Sequence, residues 1–304
     1  MVYLQAGEIA PGLHALGSMA IPSYLLDGPE PVLFDAGISA LGPAYADHAK
    51  KILGARRPSR LFLSHMHFDH CGATDHLAKT FPGLKIYASE RAANIVSRPN
   101  AQKLITQLNE HAAELARVLH PALACDSSFT PFEVHQVLAD GDQLELEGGE
   151  VIQVLASPGH TWDMLSFYLP TRGVLFASEA VGCPTQDGRI ITEFLVDYDA
   201  YLASLKRLAG LRVEVLCLAH YSALTGLDAS NYFGRALAAA KDFRGWVEDL
   251  LHKQGNDVQQ VVRLVKKREW DPRPQPKQPE PAYLLNLQAR VQHLADKLAN
   301  QTKP

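Results

Sequence analysis

The chain has 304 residues, of which 47% are hydrophobic and 20% are charged. This composition is typical of one large globular domain, alone or with an appendage. Lys and Arg number 29 against 33 Asp and Glu, a net charge of −4, so no basic excess favours nucleic acid as a partner. The first residues lack the features of an export signal, and no apolar stretch approaches the roughly 18 residues of a membrane span. We therefore expect a cytoplasmic protein without a membrane partner, whose four cysteines are reduced.

Strand-like and helix-like segments alternate along the first 90 residues. Hydrophobic spacing predicts strands over residues 12–16, 23–26, 32–34, 61–63 and 85–88, and helices over 43–55 and 74–80. Such alternation implies right-handed crossovers and a partly parallel sheet.

The middle of the chain adds a helix and a second set of strands. Leu104, Leu108, Ala112, Leu115 and Leu119 recur at three- to four-residue steps, which predicts one apolar face of a helix. Further strands are predicted over residues 134–137, 144–146, 151–155, 165–168, 174–177 and 213–218, with a helix over 198–208. We interpret the segment of about 90–135 as a helical lid insertion, with plain packing of the helix on the sheets as the alternative.

The chain ends in a helical region. Helices are predicted over residues 228–254, 256–268 and 282–300. Alternating prolines between residues 271 and 281 predict an extended spacer without helix or ladder hydrogen bonds. We therefore divide the chain into a main domain of residues 1–225 and a C-terminal helical extension of residues 226–304. The extension is a candidate to complete a pocket or to form a homodimer.

The most informative segment follows the strand predicted over residues 61–63. Residues 64–73 read S-H-M-H-F-D-H-C-G-A, so His65, His67, Asp69 and His70 fall within six residues. Imidazole and carboxylate ligands together suit zinc, iron or manganese, and a catalytic metal needs several of them with one position left open. A ligand-dense loop directly behind a hydrophobic strand is the context that supports a metal site.

Three later strand ends carry further candidate ligands. His160 lies in a Pro-Gly turn after one predicted strand, and Glu179 and His220 follow two others. A pair of metal ions, as in dinuclear hydrolases, needs about six or seven protein ligands. The four segments together supply that number.

These segments, together with Asp35-Ala36-Gly37, resemble the motifs of the metallo-β-lactamase superfamily of metal-dependent hydrolases, in the same order and at compatible spacings. The resemblance covers about residues 1–225 and implies a four-layer αββα sandwich that forms the catalytic domain. It also implies two divalent metal ions, either zinc, iron or manganese. The implied ligands are His65, His67 and His160 for one metal, and Asp69, His70 and His220 for the other. Asp35 is expected to steady a ligand ring or the surrounding loop.

The chain departs from the family pattern at Glu179. The family usually has Gly-Asp there, with the aspartate bridging the metals, whereas this chain has Ser178-Glu179. Glutamate is one methylene longer, about 1.5 Å of extra reach. We expect Glu179 to bridge or bind the metals; the alternative is that the bridge is lost and one metal binds weakly.

The resemblance implies a hydrolase in which a metal-bound hydroxide attacks a small-molecule acyl substrate, such as a thioester, ester or lactone. The helical layout is most similar to the thioesterase and lactonase branches of the superfamily. Asp69 is expected to orient the hydroxide or accept its proton, besides binding a metal. Tyr198 and Tyr221 are candidates to bind substrate by donating a hydrogen bond to an oxyanion.

Two other classes of function stay open on the sequence. The change at Glu179 also fits a metal-binding regulatory or partner-binding protein with vestigial hydrolysis. A mononuclear-iron persulfide dioxygenase is the third hypothesis, although the complete second set of ligands argues against it.

Overall fold

The computed structural model describes residues 1–119, 121–123, 125, 128–185, 187–274 and 277–301. Within these residues, two seven-stranded mixed sheets lie face to face, and helices cover both outer surfaces. This arrangement is the four-layer αββα sandwich that the resemblance implied.

The strands of the described residues are short, as is usual for sheets covered on both faces. They are Val2–Tyr3 (β1), Gly7–Ala10 (β2), Leu13–Ser18 (β3), Ile21–Leu26 (β4), Val32–Phe34 (β5), Arg60–Phe62 (β6), Lys85–Ser89 (β7), Gln136–Leu138 (β8), Gln143–Glu145 (β9), Val151–Ala156 (β10), Leu165–Leu169 (β11), Val174–Phe176 (β12), Cys183–Pro184 (β13), Ile190–Ile191 (β14), Val215–Cys217 (β15) and Ala223–Thr225 (β16).

The helices lie between and after the strands. They are Gly42–Leu53 (α1), Phe68–Cys71 (α2), Thr74–Thr80 (α3), Glu90–Val96 (α4), Pro99–Leu119 (α5), Tyr198–Ala209 (α6), Leu227–Lys253 (α7), Val258–Glu269 (α8) and Glu280–Gln301 (α9), with short 3₁₀ turns at Ser39–Leu41 and Ser178–Val181.

Parallel strand pairs at the centre of each sheet bring functional loops together. The first sheet has the order β2-β3-β4-β5-β6-β7-β8 and the second has the order β1-β16-β15-β12-β11-β10-β9, while β13 and β14 form a separate ribbon. The pairs β5–β6 and β12–β15 are parallel. Because the carboxyl ends of parallel neighbours meet at one edge, the loops after β5 and β6 lie side by side, as do those after β12 and β15.

Apolar side chains hold the layers together on both faces of the central strands. In β5, Phe34 points between the sheets and stacks on Phe176 of β12, with ring centroids 3.7 Å apart. Its neighbour Leu33 points the other way, into the core beneath α1 and α3. Such two-sided burial explains why the central strands are continuous apolar runs without polar alternation.

The structure confirms the long elements and corrects the short ones. The sequence missed β1, β13 and β14, which have two residues each and thus no measurable periodicity. It also missed β2, β16 and α4, and the ligand loop contains the four-residue helix α2. The strand predicted over 134–137 lies at Gln136–Leu138, and α5 starts five residues earlier than predicted because Pro99 can occupy the first helical position.

Helix α5 of the predicted lid segment and the helices of the predicted extension pack in the outer layers, and a lid role for residues of about 90–135 stays a prediction. Ala112 and Ala116 of α5 pack in the core of the first sheet, whereas the side chains of Leu115 and Leu119 lie outside the described residues. Helices α7 to α9 share a core with α6 and the second sheet. A domain boundary between residues 225 and 226 stays a prediction. Among the described residues, no helix is long and apolar enough to cross a membrane.

Candidate metal centre

Backbone hydrogen bonds join the loop after β5 to the ligand loop after β6. Ala36 N donates to His70 O at 2.6 Å, and Gly72 N donates to Gly37 O at 2.8 Å. Gly37 has φ 55°, and a Cβ there would lie 2.0 Å from the Tyr45 hydroxyl, so only glycine fits. The segment Asp35-Ala36-Gly37 therefore anchors the ligand loop.

The Asp35 carboxylate fixes both the start of the ligand loop and one of its rings. It accepts hydrogen bonds from Ser64 N at 2.7 Å and from Ser64 Oγ at 2.9 Å. It also lies 2.8 Å from His70 Nδ1. A carboxylate that orients a ligand imidazole in this way is a recurrent feature of metal sites.

The first group of possible ligands is His65, His67 and His160, with ligand atoms that lie within 4.8 Å of one another. His160 Nε2 and His67 Nδ1 are 3.1 Å apart. His65 Nε2 is buried and, among the described residues, has no hydrogen-bond partner. An unpartnered buried nitrogen beside two other imidazoles is costly on its own and is what a metal cation would satisfy.

The second group is Asp69, His70, Glu179 and His220, again within 4.8 Å of one another. Glu179 Oε1 lies 2.8 Å from His70 Nε2 and 3.2 Å from His220 Nε2. Asp69 Oδ2 is 3.5 Å from His220 Nε2. The other Glu179 oxygen, Oε2, lies 3.9 Å from His65 Nε2 of the first group. The two oxygens of this side chain thus face different ligand groups.

The far nitrogens of His65, His160 and His220 each have an acceptor, which sets the tautomer. His160 Nδ1 donates to Glu193 O at 2.6 Å and His220 Nδ1 donates to Ala20 O at 2.7 Å. Ser64 Oγ donates to Asp35 and can therefore accept from His65 Nδ1, 3.0 Å away. In their neutral forms these rings present an Nε2 lone pair to the centre.

Ser178 supports Glu179 from an unusual backbone conformation. Its φ is 49°, in the left-handed region that glycine usually occupies. Its hydroxyl donates to Glu179 Oε2 at 2.6 Å. The serine that replaces the family's glycine therefore holds the longer carboxylate that replaces the aspartate.

Burial and neighbouring charges set the protonation of the ligand side chains. It lowers the pKa of His65 well below the usual range and that of His160 to about 3, so both rings are neutral at pH 7. Burial also opposes charge on Glu179 and His70, but their mutual attraction outweighs it: the pKa of Glu179 lies well below, and that of His70 well above, its usual value. Glu179 is therefore ionised, as a metal ligand must be.

A cavity of about 230 Å³ opens on the two groups. His67, Asp69, His160, Glu179 and His220 all line it. The rest of its lining is largely apolar and comes from α5, the loops near Ile38 and Cys183, and eight residues of the C-terminal region: Arg273, Pro274, Lys277, Gln278, Pro279, Ala282, Leu285 and Asn286.

The structure separates the two tyrosine candidates. Tyr221 lines the cavity directly after His220. Tyr198 is not among its lining residues in the described part of the chain; it is buried at the start of α6, against Phe194 and under Arg244. The expectation that Tyr198 lies at the site is wrong, because the first turn of α6 faces the C-terminal helices.

Sequence reasoning missed residues that shape the site from outside the motifs. Glu193 accepts from His160 and its side chain lines the cavity. Asp163 Oδ2 accepts from Met66 N at 2.8 Å and so holds the ligand loop from the second sheet. Asp163 lies only three residues after His160, a spacing that would have signalled it; Glu193 has no local signal.

The donor set fits two divalent metals. It combines histidine nitrogens with carboxylates from Asp69 and Glu179, without a cysteine, as suits zinc, iron or manganese. A bound metal would explain why His65 Nε2 has no hydrogen-bond partner among the described residues. It would also explain why His160 and His220 are oriented by hydrogen bonds from their Nδ1 atoms.

Comparison with known proteins agrees with this geometry. The chain is 26% identical to the probable metallo-hydrolase YflN of Bacillus subtilis over 236 residues, covering 72% of this chain and 87% of that protein. It is 25% identical to the atrochrysone carboxyl ACP thioesterase of Aspergillus fumigatus over 197 residues, covering 64% of this chain but 48% of that protein.

A solved structure shares the fold across nearly the whole chain. The metallo-beta-lactamase family protein TTHA1429 of Thermus thermophilus matches with a TM-score of 0.63 and 19% identity, covering 99% of this chain and 93% of that one. Residues 17–220 match the family model described as metallo-beta-lactamase superfamily. The relatives' names support a hydrolase in general. The chain belongs to the metallo-beta-lactamase superfamily.

Proposed function

We propose that the protein is a metal-dependent hydrolase that cleaves an acyl thioester, ester or lactone with water as the nucleophile. The observation that carries this proposal is the pair of adjacent ligand groups that share the buried Glu179. The name of the Aspergillus fumigatus relative, a thioesterase, supports the thioester as the first substrate class to test.

The two ligand groups have distinct expected roles. His65, His67 and His160 would hold one metal, and Asp69, His70, Glu179 and His220 the other. Bound there, divalent metals would acidify a water molecule and polarise a carbonyl oxygen. Glu179 would contribute to both positions through its two oxygens.

The protein's own residues position the reactants and manage the proton. Asp69 lines the cavity beside His220, where its carboxylate would orient the attacking water and take up its proton. Burial raises the pKa of Tyr221 to about 12, so its phenol stays protonated and would donate a hydrogen bond to a substrate oxygen. The apolar lining would exclude competing water from the acyl group.

A substrate panel tests this function. We expect metal-loaded protein to hydrolyse at least one acyl thioester, aryl ester or acyl lactone. We expect Asp69→Ala to lower kcat by roughly a hundredfold or more, the size of a lost general base. Asp75→Ala, on α3 and paired with Lys79, is the matched control. No turnover of any panel member, or full activity in Asp69→Ala, would reject the proposal.

The same preparation tests the other classes. A persulfide dioxygenase with one iron needs one ligand group, whereas the second group here is also complete, which favours the hydrolase. Oxygen uptake with glutathione persulfide, in the absence of hydrolysis, would replace the proposal with the dioxygenase. Absence of both activities in metal-loaded protein would leave the regulatory or partner-binding class.

A further inference from the structure

The cavity has one apolar stripe long enough for an extended acyl chain. Leu104, Leu108, Ala112 and Ala116 of α5 line it at four-residue intervals, which places them along roughly 18 Å of one helix face. Leu104 is 49% exposed, as is Leu285 of α9 at 54%, and both line the same cavity. The apolar lining therefore continues from the buried ligand groups to the surface.

Arg273 is a charged residue in this largely apolar lining. Its guanidinium has two buried nitrogens, Nε and Nη2, that find no hydrogen-bond partner anywhere in the described chain. The side chain is half-buried, and it lines the cavity that contains the ligand groups. A guanidinium cannot shed its charge at neutral pH, so these donors need an acceptor that the protein does not provide.

The charged neighbours of Arg273 are engaged elsewhere. Glu269 attracts Arg273 electrostatically, but its Oε2 accepts from Arg290 Nη2 at 3.0 Å and from the Tyr283 hydroxyl at 2.8 Å. Asp187, another lining residue, pairs with Arg189. Burial lowers the pKa of the Arg273 guanidinium, and repulsion from Arg189 and Arg290 lowers it further.

Contacts on both sides of Arg273 fix the backbone of the described residues around it. Arg273 N donates to Trp270 O at 3.1 Å. Lys277 Nζ donates to the same carbonyl at 3.0 Å and lies 3.5 Å from the centre of the Trp270 ring. Trp270 Nε1 in turn donates to Gln278 O. Lys277 is thus used to hold the loop, whereas Arg273 is directed to the cavity.

We propose that Arg273 binds a carboxylate or phosphate group of the substrate, whose apolar chain lies along α5. This inference rests on the proposed hydrolase function and narrows its substrate class to amphipathic acyl compounds that carry an anion. A planar guanidinium can bind either anion through two parallel hydrogen bonds. The anion can belong to the acyl part or to the leaving thiol, and the test separates these sources.

Binding of non-hydrolysable thioethers to the metal-loaded protein tests the proposal without catalysis. The probes are S-decyl thioethers of 2-mercaptoethanol, 3-mercaptopropionate and coenzyme A, and a thioether of 2-mercaptoethanol with an ω-carboxydecyl chain. We expect at least one anionic probe to bind roughly ten- to a hundredfold more tightly than the neutral one. The probe that shows this preference identifies where the anion lies.

Variants then assign the preference to Arg273. Arg273→Ala should bind neutral and anionic probes alike, Arg273→Lys should keep part of the preference, and the exposed Arg263→Ala on α8 should behave as the parent. Thermal unfolding of each variant checks that the fold is retained. A preference that survives in Arg273→Ala, as direct binding of the anion to a metal would produce, overturns the proposal. So does a parent that binds no probe or binds all of them equally.

The hydrolysis panel separates the two proposals. Arg273-dependent anion binding without any hydrolysis would count against the proposed function alone. Hydrolysis of neutral and anionic thioesters with equal kcat/KM, unchanged in Arg273→Ala, would count against the role of Arg273 alone.

Discussion

At the level of single residues, Ser178 and Glu179 compensate for each other. The left-handed conformation of Ser178, φ 49°, costs a non-glycine residue about 1–2 kcal/mol. Its hydroxyl donates to the buried Glu179 carboxylate at 2.6 Å, and hydrogen bonds to charged groups contribute about 1.5–3 kcal/mol. The serine therefore stabilises the site despite its strained backbone.

Two substitutions of Ser178 distinguish the energetic cost of its backbone conformation from the contribution of its hydroxyl group. Ser178→Ala keeps the strain and loses the hydrogen bond, so we expect a loss of roughly 1.5–3 kcal/mol in the free energy of unfolding. Ser178→Gly loses the same bond but relieves the strain, so its loss should be smaller. Urea denaturation of the chelated proteins measures both; a glycine variant that is less stable than the alanine variant would contradict this explanation.

Asp35 is predicted to act on metal binding through His70. In Asp35→Asn, an amide replaces one of the acceptor oxygens that now serve Ser64 and His70. We expect metal affinity to fall by about ten- to a hundredfold, as for other residues that orient a ligand. Competition with a chromogenic chelator measures it. Asp27→Asn, in an exposed pair with Arg56, should leave the affinity unchanged, and equal losses in both variants would refute the role.

Sequence motifs indicated the candidate metal ligands and Asp35, but not the other residues that position them. His65, His67, Asp69 and His70 form one local pattern behind a strand, which can be read without a structure. Glu193 and Arg273 reach the site through tertiary packing from segments without such a pattern. Tyr198 was misplaced because proximity was inferred from position in the chain, and the orientation of α6 was unknown.

At the level of elements, α9 joins the C-terminal helices to the metal centre. Arg290 is fully buried, donates from Nη1 to Thr192 O at 2.9 Å and pairs with Glu269 of α8. Thr192 directly precedes Glu193, whose carbonyl orients His160. The packing of α9 therefore holds the backbone on which one ligand depends.

Removal of Arg290 alone should be far more harmful than removal of its whole ion pair. Arg290→Met leaves the largely buried Glu269 carboxylate without its ion-pair partner, so we expect a loss of roughly 3–5 kcal/mol in unfolding free energy. The double variant Arg290→Met/Glu269→Leu should recover most of that loss, since both charges of the ion pair are then removed. Guanidinium denaturation measures the stability of both variants. A double variant as unstable as the single one would contradict this prediction.

The ion pair of Arg290 and Glu269 makes the stability of the fold depend on pH. Burial raises the pKa of Glu269, but Arg290 and the Tyr283 hydroxyl outweigh it and bring the value below the usual 4.5. A carboxyl group whose pKa is lower in the folded state stabilises the protein at pH values above its pKa in the unfolded state. This stabilisation is lost as the pH falls through its pKa in the folded state. In unfolding measurements below about pH 4.5, the parent should lose stability faster than the double variant; parallel curves would refute this.

At the scale of the whole molecule, the two ligand groups join the two sheets. His65 and His70 follow β6 of the first sheet, whereas Glu179 and His220 follow β12 and β15 of the second. Each group includes residues from both sheets. Metals bound there would link the halves of the sandwich at the edge where their loops meet.

Metal removal should therefore destabilise the entire fold. A metal present at a hundred times its Kd contributes about 2.7 kcal/mol, and each kcal/mol corresponds to about 2–4 °C in Tm for a domain of this size. We expect chelation to lower Tm by roughly 5 °C or more. His160→Ala should lower the Tm of the metal-loaded protein and show a smaller response to chelation. A Tm that does not change on chelation would show that the metals do not link the sheets.

Periodic signals in the apolar strands and the helices predicted an α/β fold in two halves, whereas the four-layer sandwich followed from the resemblance of the motifs to the superfamily. The shortest strands could not be predicted, since β1 is held by pairing with the distant β16, and β13 and β14 have only two residues each. The sequence indicated that the C-terminal extension could complete a pocket, but not which of its residues line the cavity. Its prolines indicated a spacer, and only the fold shows that Arg273 lies on the cavity.

Metal content per chain tests the central claim, a two-metal site shared by Glu179, most directly. Elemental analysis of protein purified without chelator or added metal should give about two equivalents of divalent metal. Glu179→Ala should fall to one or fewer, while Glu214→Ala, in an exposed pair with Arg212, should match the parent. One equivalent or less in the parent, unchanged by Glu179→Ala, would contradict the shared dinuclear centre.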